Sequence, residues 1–478
     1  MGQPSVAEPK DANTPEPLSR REVVLMVAAL VATVIAFQVN TTMLIPAIRA
    51  INEDFGPTAY ATMSTYFSLA GAVAAVVLIR WSDYLGRKRV LLGVVAVICV
   101  GTVLCIVSTS LGFMVLGRIL QGTGQITFAL VFLVMREHLS AKAFGACCGL
   151  VTAINGGVAG FDSLLGGEMV DHLGYRSIFV LSLVVGVCTL VFAWKAVPAD
   201  RPARAHAERM DWWGAILLSV TATGLIMYIG DGGREGWFSP SALGWMIAAV
   251  AAFVALVIVD TRLPHPLVSI EHMRSRETWP VIVVTVLTMA SFMLVLIFIV
   301  PSIAEDATGG FALTATMTAL LFLTPGAVVQ LIAGPLAGRL AVRIGFVTLL
   351  RIGIVSSLLV IALLAVFVDQ LSTVVVLMIV FGATCTGALL TAISTLGIVQ
   401  APDDEPGSLP GVTTVAFAVG GAMGFAWAGP IVGSGTVPSF QTALWICFTV
   451  GVVALVFSLV LKPKPGPLVP AVTAGQPH

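Results

Sequence analysis

Three polar residues sit inside long apolar stretches, where burial is costly: Asn40, Arg118 and Asp162. An arginine in the middle of a membrane helix costs about 2.5–3.5 kcal/mol on insertion scales, so it faces a partner or a water-filled cavity. Gln121, Gly122 and Gln125 follow Arg118 at helical spacing and share its face. Asp162 is the one acid well inside an apolar segment, and Asn155 and Ala159 give its helix a polar, small face. A carboxyl there can take up or release a proton as its surroundings change. These residues point to transport chemistry. Asp162 and Arg118 are the candidates for proton coupling, and Asn40, Gln38, Gln121, Gln125 and Asn155 are the candidates for lining a substrate cavity. The structural alternatives are a polar clamp between helices for Arg118 and a permanent ion pair for Asp162.

The elements that must hold these residues follow from composition. Hydrophobic residues make up 58% of the 478-residue chain and charged residues only 10%. A soluble domain carries about 25% charged residues, so the main solvent of this chain is lipid. Apolar runs of the roughly 20 residues needed to span a bilayer recur from Val23 to Leu461, and the breaks between them define fourteen helices. Helix 1 covers 22–48, helix 4 covers 111–135 and helix 5 covers 144–168. Counted from the helix ends at 1.5 Å per residue, Asn40, Arg118 and Asp162 all lie roughly 10–12 Å below the outer surface. That shared level predicts an Arg118–Asp162 pair beside Asn40.

Charge bias supports the count. With the N-terminus inside, only Arg49, Arg176 and Arg234 fall on the outer side and Arg118 falls within a span; every other Lys and Arg falls on the inner side. The expectation is a multi-pass protein of the inner (plasma) membrane, in contact with lipid on all sides, with both termini cytoplasmic. Residues 1–21 and 463–478 read as cytoplasmic tails, the first of them disordered. Glu305 and Asp306 read as a solvated outer loop, and Glu168 as an interfacial charge.

An internal repeat divides the chain. Ile79-Arg80-Trp81-Ser82-Asp83-Tyr84-Leu85-Gly86 follows helix 2, and Gly338-Arg339-Leu340-Ala341-Val342-Arg343-Ile344-Gly345 follows helix 10. Arg80 aligns with Arg339 and Gly86 with Gly345. Residues 22–200 and 279–462 are then two equivalent six-helix halves, with two inserted helices in 201–278. The Asp83, Gly86, Arg87 and Lys88 turn is a gating candidate: its glycine permits a tight turn, and its acid can cap a facing helix or pair with arginine and so latch one half to the other. The alternative is a basic cluster that only sets topology.

The run Asp83-Tyr84-Leu85-Gly86-Arg87-Lys88-Arg89 resembles the D-x-x-G-R-K/R loop of the major facilitator superfamily, and Arg118-Ile119-Leu120-Gln121-Gly122-Thr123-Gly124 resembles its R-x-x-Q-G-x-G motif. Asp211-Trp212-Trp213-Gly214, Gly232-Gly233-Arg234-Glu235-Gly236-Trp237 and Pro266-Leu267 are similar to segments of its fourteen-helix drug:proton antiporter (DHA2-like) branch. The resemblance implies an all-α membrane protein of the major facilitator fold, with two six-helix halves plus two inserted helices, that works by alternating access. Two departures stand out. Asn40 occupies the place of an acid in the branch's helix 1 signature, and Asp162-Ser163 replaces the Gly-Pro of its helix 5 motif while Gly166-Gly167 is kept. Asp162 is then the residue placed to substitute for the acid missing at position 40.

Zero net charge argues against a nucleic-acid partner. The sequence contains no phosphate-binding loop, hydrolase motif or clustered metal ligands, and its seven cysteines have no CxxC spacing. The expectation is no enzyme activity, no cofactor and no metal, in a chain that acts as a monomer on a small-molecule substrate and protons. The leading function is export of amphipathic small molecules by proton antiport, as in multidrug or metabolite efflux. The alternatives are a narrow metabolite or siderophore transporter without proton coupling, and a membrane sensor that kept the fold and does not transport.

Overall fold

The protein is described here from a computed structural model that covers residues 19–198, 211–261, 275–400 and 408–462. Thirteen helices among the described residues are long and apolar enough to cross a membrane. The 33-residue helix Ala141–Leu173 completes the fourteen that the sequence predicts. In chain order they are α1 (Arg20–Phe55), α2 (Ala59–Leu85), α3 (Arg87–Val107), α4 (Leu111–His138), α5 (Ala141–Leu173), α6 (Arg176–Ala196) and α7 (Trp212–Glu235). They continue as α8 (Pro240–Asp260), α9 (Trp279–Glu305), α10 (Ala315–Ile344), α11 (Phe346–Val366), α12 (Leu371–Gly397), α13 (Ser408–Val432) and α14 (Val437–Val460). The even count puts both chain ends at one end of the bundle, the near end. The α1–α2, α5–α6 and α9–α10 turns lie at the far end.

Local chemistry sets the helix ends. Ser19 and Glu22 form a capping box that starts α1: the Glu22 N–H donates to Ser19 Oγ at 3.3 Å, and the Ser19 N–H donates to Glu22 Oε2 at 2.8 Å. Pro46, which has no N–H to donate, falls in a 3-10 turn at Ile45–Ala47, and the chain then resumes as an α-helix over Ile48–Phe55. Helix 1 therefore runs seven residues beyond its expected end at residue 48. The repeat is visible in backbone angles. Gly86 closes α2 at φ 97°, ψ 138°, and Gly345 closes α10 at φ 90°, ψ 143°. Positive φ of this kind favours glycine, which explains why both copies carry it.

The two halves pack alike. In the first, α6 packs on α1 and α3, α4 on α2 and α3, and α5 on α1. In the second, α14 packs on α9 and α11, α12 on α10 and α11, and α13 on α9. The halves meet reciprocally along α2–α13 and α5–α10. The inserted α7–α8 hairpin leans through α7 on the α2–α13 seam. At the far end the seam is sealed by apolar side chains: Tyr60 on α2 stacks on Phe298 of α9 at 5.9 Å, and both rings meet Phe425 of α13.

Glu305 departs from the sequence expectation. It is the last residue of α9, and only 2% of its surface is exposed, so it is no part of a solvated loop. The end of α1 covers it, because that helix continues past residue 48. Asp306 does lie in the turn, where its Oδ1 accepts the N–H groups of Thr308 and Gly309. Glu168 is exposed and pairs with His172 at 3.3 Å, as an interfacial charge would.

Candidate functional site

The first half of the bundle holds a closed polar cluster at the crossing of α1, α3 and α4. Arg118 is 3% exposed. Its Nη1 donates to the Asn40 carbonyl at 3.2 Å, to Asn40 Oδ1 at 3.1 Å and to Gln121 Oε1 at 2.8 Å. The guanidinium lies over the Phe67 ring at 4.1 Å, a cation–π contact. Thr102 on α3 closes the ring: its hydroxyl accepts from Gln121 Nε2 at 2.9 Å and Asn40 Nδ2 at 3.4 Å, and donates to the Ile98 carbonyl. Both amides are thereby oriented, oxygen toward arginine and nitrogen toward threonine. Arg118 Nε has no partner in the cluster. An acid at position 40 would neutralise Arg118; Asn40 leaves the cluster carrying one positive charge.

Asp162 lies elsewhere. Its Oδ2 accepts from the Thr42 hydroxyl at 2.6 Å and its Oδ1 from the Ser163 hydroxyl at 3.4 Å. No ion pair joins it to Arg118 among the described residues. The predicted Arg118–Asp162 pair is therefore corrected. The cause is helix 1 itself: at 100° per residue, Asn40 and Thr42 point to nearly opposite sides of it, one toward α4 and the other toward α5. The two charges share a level and are separated by a helix.

The hydroxyls around Asp162 are shared with main-chain carbonyls. Thr42 Oγ1 lies 3.0 Å from the Gln38 carbonyl as well as 2.6 Å from Asp162. Ser163 Oγ lies 2.7 Å from the Ala159 carbonyl, 3.1 Å from the Thr42 carbonyl and 3.4 Å from Asp162. Each hydroxyl has one proton to donate. Two hydroxyl protons are thus shared among both Asp162 oxygens and three main-chain carbonyls, of which those of Gln38 and Ala159 also accept helix N–H groups. A proton on Asp162 supplies a third donor and lets Thr42 turn to the Gln38 carbonyl.

α5 is placed by close packing on both sides. A Cβ on Gly166 would fall 2.2 Å from the Met43 carbonyl of α1, and one on Gly167 would fall 2.7 Å from the Ala315 carbonyl of α10. The glycine pair read from the motif is thus a contact for both neighbours. Thr324 of α10 donates to the Gly160 carbonyl at 3.0 Å, so Asp162 sits beside a bond that joins the two halves.

The remaining sequence candidates divide. Gln38 is buried and Gln125 half-buried, and neither side chain makes a hydrogen bond among the described residues. Gln125 leaves the Arg118 cluster and packs on Gly71, where a Cβ would come within 2.4 Å of its Cδ. The side chain of Asn155 lies outside the described residues. At the gating turn, Arg87 pairs with Asp83 at 3.4 Å and with Glu137 at 2.7 Å and donates to the Leu133 carbonyl, while Lys88 donates to the Val197 carbonyl. Thr102 and Glu137 were not singled out in the sequence. A threonine among valines and an acid after an apolar helix carry no pattern that would have found them. A small crevice of about 70 Å³ opens at the far end between α2, α7 and α13, where Arg234 donates to Thr62 at 3.0 Å.

Known proteins resemble this chain along most of its length. The profile of the Major Facilitator Superfamily matches residues 29–425. The chain is 34% identical over 419 residues to the uridine/deoxyuridine transporter of Lactococcus lactis subsp. cremoris (strain MG1363), covering 84% of this chain and 85% of that protein. It is 25% identical to the multidrug resistance protein Stp of Mycobacterium tuberculosis (strain CDC 1551), across 76% of this chain and 67% of that one. Among solved structures, the POT family transporter PepTSo shares the fold with a TM-score of 0.65 at 15% identity, covering 93% of this chain and 98% of that one.

Proposed function

The chain belongs to the Major Facilitator Superfamily, and from that premise we propose that it is a secondary transporter carrying a nucleoside-class molecule by alternating access, with Asp162 as its proton-coupling acid. The observation that supports the coupling role is the setting of Asp162: a buried carboxyl with no ion-pair partner among the described residues, held by Thr42 and Ser163 hydroxyls that also lie against main-chain carbonyls. A charge at that site is expensive, and a proton relieves it. Because α5 touches α1 on one side and α10 on the other, a change at Asp162 bears on the contact that rocks in alternating access. Arg118 holds α1, α3 and α4 together and keeps a positive field in the same half.

The 34% identity to a uridine/deoxyuridine transporter over most of both chains favours a nucleoside cargo. Gln38 and Gln125 support it chemically, since their amides make no hydrogen bond among the described residues and their turns carry Phe37 and Phe128, whose rings meet each other, Phe37 also meeting Phe67 of α2. A planar base with hydrogen-bonding edges fits such a surface. A second reading, export of amphipathic molecules by proton antiport, draws on the 25% identity to a multidrug resistance protein. Both readings take the far end to face outside the cell, which the charge bias supports.

Flux in proteoliposomes tests the readings together. The expected result is uridine movement that is driven by a pH gradient and competed by deoxyuridine. Asp162→Asn should fold and bind uridine while losing the pH-driven component. Ethidium movement without uridine movement would replace the nucleoside reading by the exporter. Unaltered pH dependence in Asp162→Asn would remove the coupling role.

A further inference from the structure

Two carboxylates cross between the halves at the far end, in opposite directions. Asp171, at the end of α5, accepts the N–H groups of Ala315 at 3.1 Å and Thr316 at 2.9 Å, and so caps α10 of the second half. Glu305, at the end of α9, accepts the Arg49 N–H at 2.8 Å through Oε2, and so caps the Ile48–Phe55 helix at the end of α1 in the first half. That helix has no side-chain cap of its own, because its N-cap residue is Ala47. Each carboxylate meets the positive end of a helix that belongs to the opposite half.

The two caps differ in solvation. Asp171 is exposed. Glu305 is 2% exposed, and its Oε1 has no hydrogen-bond partner. The nearest cation does not neutralise it: the Arg49 guanidinium turns outward and pairs with Glu53 through Nε at 2.7 Å. The titratable groups around Glu305 are Arg49 and Glu53 on α1, Tyr60 on α2, Asp171 on α5 and Asp306 beside it in the chain. Three of those are acids, so the surroundings add repulsion to a carboxylate that already lacks water.

We infer that Glu305 is a second proton-binding site of this transporter, and that it acts as the release of the far-end gate. Ionised, the carboxylate holds the Arg49 N–H and closes the far end. A proton from the far-end solution settles on the unpartnered Oε1, removes the charge that the α1 helix end attracts, and weakens the cap across the halves. Asp171, hydrated and singly placed on α10, supplies a second clasp that does not depend on such a proton. The gate then opens toward the more acidic side, which matches proton entry to a protonatable Asp162 deeper in the first half. This rests on the alternating-access reading above, although its test needs no cargo.

Spin labels at Thr109→Cys on the α3–α4 turn and Asp369→Cys on the α11–α12 turn, both exposed and at the far end, report the separation of the halves. A cysteine-free background carries the pair. In the otherwise unaltered protein the far-end distance should widen as the solution goes from about pH 8 to about pH 5. Glu305→Gln should give the wide distance at both pH values, and Asp171→Asn should widen the distance while keeping the pH response. Asp162→Asn should keep the pH response as well. The inference is overturned if the unaltered pair shows no pH-dependent widening, a result that does not depend on any gate variant folding. It is also overturned if Glu305→Gln responds to pH like its parent, or if Asp162→Asn alone abolishes the response. Failure of uridine flux with this pattern intact would count against the cargo and leave the gate standing.

Discussion

The first six helices and the last six share a packing plan and differ in what they bury. The first half buries its chemistry: Arg118, Asn40, Gln121 and Thr102 in one cluster, and Thr42, Asp162 and Ser163 in another. The second half buries mainly aliphatic and aromatic side chains and departs from regular helix instead. Among the described residues, π-helical turns occur at Met289–Met293, Val295–Ile299, Ala319–Leu323 and Gly382–Leu390, all in α9, α10 and α12. A π turn widens the helix and frees a backbone group for an outside partner. Here Trp427 Nε1 donates to the Ala290 carbonyl at 3.1 Å, and Cys447 Sγ lies 3.5 Å from the Ser291 carbonyl. Pro301 and Pro325 fall beside these turns and add further missing donors. The halves therefore differ in kind: the first gathers buried polar side chains into two clusters, and the second carries the π turns, with Glu305 its one buried acid among the described residues.

That contrast can be broken most forcefully at Arg118. Arg118→Ala leaves Asn40 Oδ1 and Gln121 Oε1 buried without their donor, which should cost about 2–4 kcal/mol and abolish transport. Thermal unfolding in detergent checks the first effect. A variant as stable as its parent would show that the cluster is replaceable. Trp427→Phe probes the second half. It removes one hydrogen bond to a π turn, so about 1 kcal/mol is expected, with transport slowed rather than lost. Full transport with a sharply lowered melting temperature would mean that the π turns are structural alone. Asp83→Asn should have the smallest effect, a few tenths of a kcal/mol, since the bridge it removes is an i,i+4 pair within one half. Its influence should appear instead in accessibility of the near end to impermeant thiol reagents. Equal labelling of cysteines there in variant and parent would reduce the turn to a topology signal.

Much of the frame was legible because it is periodic or local. Apolar runs of bilayer length count the helices, since each must satisfy its own backbone in lipid. Gly86 and Gly345 could be matched because a positive φ leaves a mark on residue choice at one position. Arg118, Asn40 and Gln121 were found as a set because a charge in an apolar run is conspicuous, and they do meet. Thr102 joined them unseen, because a threonine is unremarkable in such a helix. Glu305 was misread because a charge at the end of a run looks solvated; whether water reaches it depended on Pro46 re-forming the end of α1 above it.

The sequence by itself determined height. At 1.5 Å per residue, distance along a helix is fixed by counting, and Asn40, Arg118 and Asp162 come out on nearly one level without reference to any neighbour. Direction around the helix axis was not determined. Two residues two positions apart point to nearly opposite sides, and which neighbour lies on each side is set by how the helices pack. Tertiary structure put Asn40 against Arg118 and Thr42 against Asp162, and so turned a predicted ion pair into a cation and a separate acid on either side of one helix.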